Sequence, residues 1–169
     1  LDQLSELVDI GVREDSQGRV SVTIGGTKLV DYNQVNELAL VDKPDGTADI
    51  LWSHDSSPVV IRSGRLMGYL EMRDGVGPNT TGQNPALGIP YYMQQLDDFA
   101  AAFIQEFNET NAMGKLSDGI TPGTVLFTGS TAADIEISQE WKEDVFVITT
   151  SSTGAPADNS NAIRFAALR

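Results

Sequence analysis

The chain has 169 residues, 40% of them apolar and 21% charged, which is the profile of one globular domain long enough to bury a core. A formal charge of −13 leaves nothing to neutralise a run of phosphates, and it sets the surface against nucleic acid and anionic membranes alike. Cysteine is absent, which excludes disulfides and thiolate metal sites, and no apolar run reaches the roughly 18 residues a membrane-spanning helix requires.

Leu1, Leu4, Leu7 and Val8 form an apolar stripe with no capping residue before it. Residues 1–9 therefore read as the last turns of a helix that starts outside the chain. Residues 10–62 are β-rich. Ile10 to Glu14 and Val20 to Ile24 flank Asp15-Ser16-Gln17-Gly18 as a hairpin, and Gly25-Gly26 turns the chain into a third strand over Lys28 to Tyr32. Glu37 to Val41 and Ala48 to Trp52 flank Pro44-Asp45-Gly46 as a second hairpin, and Val59 to Ile61 reads as one more strand.

Residues 63–114 are helical. Ser63 reads as the N-cap of a short helix through Leu66, Met67, Leu70 and Met72, closed by Gly75. The Gly- and Pro-rich stretch from Val76 to Gly88 reads as a mobile loop. The main element follows, a helix from Ile89 to Met113. Tyr92, Leu96, Phe99, Phe103 and Phe107 recur at steps of three and four, with Met93, Ala100 and Ile104 beside them. Pro90 suits a first helical turn and Gly114 a left-handed stop. A rod of that length, with so wide an apolar face, is expected to bury Phe99, Phe103 and Phe107 against the terminal helices and the short helix.

Residues 120–157 read as short strands at Val125 to Phe127, Ile135 to Ile137 and Val145 to Ile148. Capping residues from Asp158 to Asn161 then open an apolar stripe of Ala162, Ile163 and Ala166, so residues 158–169 read as a second truncated helix. The fold class that follows is α+β, a single domain over residues 1–169. Its antiparallel hairpins pack with a helical bundle made of one long central helix and two terminal stubs, whose helices continue in a longer chain.

Chemistry is harder to find. His54 is the sole histidine and lies between Ser53 and Asp55, but neighbours on a strand point to opposite faces, and a surface turn is the simpler reading. Asp45 to Asp49 is too short for a calcium loop and reads as a hairpin turn. Glu136, Glu140, Glu143 and Asp144 carry the residue types of a glycosidase pair, yet nothing draws them into a cleft, so they read as solvated surface. Gly64 and Gly68, four apart, suit close approach of a neighbouring element. Asn79 and Asn108 head glycosylation sequons of the kind that arise by chance. No catalytic, cofactor-binding or metal-ligating residue is assigned, and no cofactor is expected.

Several stretches taken together resemble the family of the first flagellar hook-associated protein, the hook–filament junction protein. They are LDQLSELVDI at residues 1–10, VREDSQGRVSVTIGGTKLV at 12–30, SGRLMGYLEMRD at 63–74, LDDFAAAFIQEFNETNAMG at 96–114 and ADNSNAIRFAAL at 157–168. Each is weak alone, and their order over nearly the whole chain is the specific feature. The loop over residues 75–88 and the brief segment over 127–155 depart from the family's pattern. The resemblance implies a non-enzymatic, extracellular structural subunit of the bacterial flagellum, exported through the type III channel. It further implies a ring between hook and filament, touching the hook protein on one side and the second hook-associated protein on the other. A related rod or filament subunit, or a secreted carbohydrate-active enzyme or protease on the same core, are the alternatives.

Overall fold

The structure, a computed structural model, describes residues 1–168; Arg169, the end of the expected C-terminal stub, lies outside them. The architecture is α+β, with antiparallel hairpins, several short helices and one long helix. The chain divides into two compact units, Leu1–Ile89 and a second beginning at Pro90.

In the first unit, helix α1 (Asp2–Leu7) leads into β1 (Ile10–Glu14), β2 (Val20–Ile24), β3 (Thr27–Asp31) and β4 (Gln34–Val35). These four make one antiparallel sheet in sequence order, with Val12 opposite Val22. Turn chemistry fixes the register. The Asp15 carboxylate accepts the backbone N–H groups of Gln17 and Arg19, and Gly25 and Gly26 both take positive φ in the two-residue turn before β3. Strand β4 had no sequence signal, being two residues long. A second hairpin, β5 (Leu38–Asp42) and β6 (Ala48–Trp52), turns where Asp45 accepts the Thr47 N–H and hydroxyl. Alternation along β2 and β6 sends Ile24 and Trp52 inward to meet Val8, and Leu4, Ile10, Leu29, Val59, Ile61 and Leu66 close round them.

Two expectations for this unit need correction. Val59 to Ile61 is not a strand: Pro58 supplies an isolated bridge to Leu51, and beyond it Val59 and Ile61 turn onto the core while Val60 stays exposed. Helix α2 (Arg65–Asp74) is capped by Gly64, not Ser63, with no side-chain cap bond. Gly64 stands at φ +92°, where a Cβ would lie 2.6 Å from the Leu7 carbonyl oxygen, so the chain after α1 can cross it closely; Gly68 faces open space. The stretch after α2 is a loop, as expected, and it folds back on itself. Val76 and Gly77 donate to the carbonyls of Asn84 and Ala86, and Gly75 and Gly88 lie back to back.

The second unit is built along α3 (Ile89–Met113), whose bounds match the periodicity that predicts it. After it come β7 (Phe127–Thr128) and β8 (Glu136–Ile137), paired antiparallel, then α4 (Gln139–Glu143) and α5 (Ser160–Ala167). The strand expected at Val145 to Ile148 is a 3-10 turn over Val145–Val147. Its cause is local: Asp144 accepts the Phe146 N–H, an Asx bond that competes with an extended backbone. Ser138 likewise caps α4 by accepting from Trp141.

Candidate assembly surface

One face of α3 carries an apolar row from Ile89 to Phe107, because residues three and four apart lie above one another on a helix. The two halves of that face meet different surroundings. In the C-terminal half, Phe103 and Phe107 stack at 4.3 Å, and Phe127 of β7 stands edge-on to both at 5.1 and 5.8 Å. Trp141 of α4 lies beyond Phe127 at 5.4 Å, and Phe165 of α5 lies 5.6 Å from Phe107. Ala100 and Ile104 are buried in the same row. In the N-terminal half, Ile89, Tyr92, Met93, Leu96 and Phe99 are each more than half exposed, Phe99 at 68%. The expectation that Phe99, Phe103 and Phe107 are buried is therefore overturned for Phe99, and Phe103 and Phe107 are only half-buried. The aromatic cover in this unit stops at Phe103, although the chain after β7 reaches Asp97, which accepts the Ala132 N–H.

What holds α5 against the end of α3 is polar. Asn111 and Asn161 are fully buried and Thr149 nearly so. The Asn111 amide donates to the carbonyls of Thr124 (2.7 Å) and Val147 (3.0 Å), and its oxygen accepts the Thr149 N–H at 2.8 Å. The Thr149 hydroxyl donates to the Asn111 carbonyl at 2.7 Å. Asn161, on the first turn of α5, donates to the carbonyls of Thr110 (2.9 Å) and Thr149 (3.1 Å), and Arg164 donates to its side-chain oxygen. One turn back on α3, Asn108 clamps β7 by accepting from Leu126 and Phe127 and donating to the Phe127 carbonyl. Each bond satisfies a group that would otherwise be stranded away from water. Asn108, matched above only to a sequon, thus has a packing role. Asn111 and Asn161 had no assigned role beyond a helix side chain and a capping candidate. Asn111 did carry a signal, standing in line with Ile104 and Phe107 on the apolar face where an amide must find partners.

Asp158 supports the start of α5. It accepts from the hydroxyls of Ser151 (2.6 Å) and Thr153 and from the Ser160 N–H, and these bonds, the Ser151 one foremost, hold its carboxyl far below the ordinary range.

The remaining candidates are scattered. His54 is half exposed, with Nε2 3.3 Å from the Asp55 carboxylate, and the Ser57 hydroxyl donates to that same carboxylate. The carboxylate thus separates hydroxyl from imidazole, the wrong order for a base to draw a proton from a nucleophile. Asp45 and Asp49 belong to the β5–β6 hairpin. Glu136, Glu140, Glu143 and Asp144 are all exposed, and Glu136 pairs with Lys142 at 3.2 Å. Asn79 is exposed in the loop after α2. Among the described residues no group of three or more acidic or histidine side chains stands close enough to hold a metal ion. No helix among them is long and apolar enough to cross a membrane.

A family model described as the flagellar hook-associated protein FlgK helical domain matches residues 1–127. The chain belongs to this family. The match takes in both hairpins, α2 and α3 and ends inside β7, so Ser138, Thr149 and Asn161 lie past it. Among solved structures, the chain is similar to the flagellar hook junction protein FlgK from Burkholderia pseudomallei, at 26% identity and a TM-score of 0.51. That likeness covers 75% of this chain and 23% of the other, so the chain spans about a quarter of that relative's length. No curated protein matches it.

Proposed function

We propose that this chain is part of a structural subunit of the bacterial flagellum, at the junction between hook and filament, and that it has no catalytic role. The uncovered half of the α3 face carries the reading. Five large apolar side chains in one helical row are a surface that needs a partner in water, and in a FlgK-family protein that partner would be another part of the flagellum. The carbon surface of Tyr92, Leu96 and Phe99 would pack against helices of the longer chain or of neighbouring subunits. The full protein would then close into a ring contacting the hook protein and the second hook-associated protein, outside the cell after export.

The test is a triple substitution, Tyr92→Ser, Leu96→Ser and Phe99→Ser, in the full-length protein returned to a strain lacking it. These side chains are exposed here, so the isolated 169-residue chain should keep its unfolding midpoint. Filaments should be shed or absent and swimming lost. Normal filaments on a folded triple variant would overturn the proposal, and so would failure of the unaltered protein to restore the junction.

A further inference from the structure

The hairpin β5–β6 has one closed edge and one open edge. On the β6 side, the Ile50 carbonyl accepts the Val59 N–H and Trp52 donates to the Ser57 carbonyl, so the chain over residues 57–59 covers that edge. On the β5 side the register decides which groups are free. Lys43 donates to Thr47 at one end and Ser53 to Glu37 at the other, with Leu40 opposite Ile50 between them. In an antiparallel ladder, hydrogen-bonded pairs alternate with pairs whose N–H and C=O groups point outward. Ala39 and Val41 therefore bond to β6, while Leu38, Leu40 and Asp42 direct their backbone groups away from it. Among the described residues none of these three has a backbone partner.

The side chains continue this open edge. Leu38 and Leu40 lie on the face of their cross-strand partners Trp52 and Ile50, and Trp52 is in the core. An apolar face thus runs outward from the core and ends uncovered at Leu40, 73% exposed. Edge strands that must stay single are normally blunted by lysine, proline or a bulge, as Gly11, Arg13 and Glu14 break up β1. Strand β5, LALVD, has none of these devices before its last residue, Asp42.

Charge selects the occupant. Glu37 precedes the strand and Asp42 ends it, and neither is in an ion pair among the described residues. The nearby cations, Lys43 and Arg73, are engaged by Asp49 at 3.1 Å and by Asp74 at 2.6 Å. A second copy laid antiparallel on β5 would bring together two chains that each carry −13. We propose that β5 is an acceptor edge for an extended segment of a different protein, with apolar residues at alternate positions and lysine or arginine at its ends, which adds as a third strand. Backbone bonds to Leu38, Leu40 and Asp42 would supply affinity, the Leu38–Leu40 lip would select apolar side chains, and Glu37 and Asp42 would select the basic ends.

The probe is a heptapeptide of alternating valine and threonine with lysine at both ends, added at millimolar concentration to the 169-residue chain. Amide hydrogen exchange at Leu38, Leu40 and Asp42 should slow by about tenfold or more, as formation of ladder bonds requires. The same peptide with glutamate ends should give no slowing. Leu40→Pro removes only an outward N–H and leaves the hairpin bonds intact, so it should abolish the effect. Leu40→Lys, which sets a cation on the edge, should weaken it and guards against misfolding of the first variant. No slowing with the lysine-ended peptide would overturn the proposal, as would equal slowing with the glutamate-ended one or unaltered binding in both variants. Concentration-dependent slowing without peptide would overturn it in favour of self-pairing.

Discussion

The two compact units close round cores of opposite chemistry. Leu1–Ile89 buries Val8, Val22, Ile24 and Trp52, each placed by strand alternation or a helix stripe. The unit from Pro90 buries Ala100, Ile104 and Leu126 but adds Thr110, Asn111, Ser138, Thr149, Ser151 and Asn161. An apolar core loses stability roughly in proportion to the atoms removed. A buried polar network fails in larger steps, because removing one member strands all of its partners. The first unit should therefore tolerate volume-conserving change where the second does not. The chain's two tryptophans separate the two responses: Trp52 lies in the first unit and Trp141 in the second, so Trp→Phe at either leaves a reporter of the other.

The largest effect is expected from Asn111→Leu, which keeps volume and adds apolar character. It strands the Thr149 N–H and the Thr124 and Val147 carbonyls, at about 1–3 kcal/mol each. Urea unfolding followed at Trp141 should show a loss of at least about 3 kcal/mol. A loss under about 1 kcal/mol would mean that water or rearrangement satisfies those groups, and the contrast between the cores would fall.

Legibility in the sequence follows the same division. The first unit's hairpins were readable because period-2 alternation and Asp-Gly and Gly-Gly turns are local signals, and α3 because its apolar row runs for about four turns. Ser138 and Asp144, which cap α4 and the 3-10 turn, act through bonds two and three residues long, but Val145 to Ile148 masked them by resembling a strand. Thr110, Asn111, Thr149 and Asn161 meet only through folding, with bonds across 12 to 51 residues, and composition says nothing of such meetings. Exposure of Phe99 was illegible for another reason. A helical row predicts an apolar face, but whether this chain itself supplies the cover depends on where β7, α4 and α5 stop.

Gly64→Ala is expected next in size. At φ +92° and ψ 176° the backbone lies in a region essentially reserved for glycine, and an added Cβ would meet the Leu7 carbonyl. Followed at Trp52, the loss should be about 2–3 kcal/mol, with the Trp141 transition unmoved. Equal shifts in both would show that the units unfold together and would break the comparison. Ile24→Val, which removes one buried methylene, should cost only about 0.5–1.5 kcal/mol. A cost above about 3 kcal/mol would make the apolar core as brittle as the polar one.

The smallest effect is electrostatic and belongs to the second unit. Thr121 donates its hydroxyl and N–H to Asp118, and the N–H groups of Ser130 and Thr131 close on Asp134, lowering both carboxyls to about 2. Asp158 is lowered further, first by the Ser151 hydroxyl. Each folded value lies below the ordinary aspartate value of about 4, so the folded state favours the charged form. The resulting stability is present in full above pH about 4 and is lost as pH falls through the folded values, from about 4 to 2 and, for Asp158, below. These carboxylates are accessible to solvent, so screening keeps the effect modest. The Trp141 midpoint in urea should therefore decline over that window. Asp134→Asn and Asp158→Asn should each flatten the decline while leaving the Trp52 profile as it was. Profiles that stay parallel to the unaltered chain in both variants would show that acid acts through other groups, such as Asp9 or Asp15 in the first unit, which backbone and arginine hydrogen bonds also lower. The acid limb would then belong to the hairpins, and the polar unit's sensitivity would rest on its neutral asparagines alone.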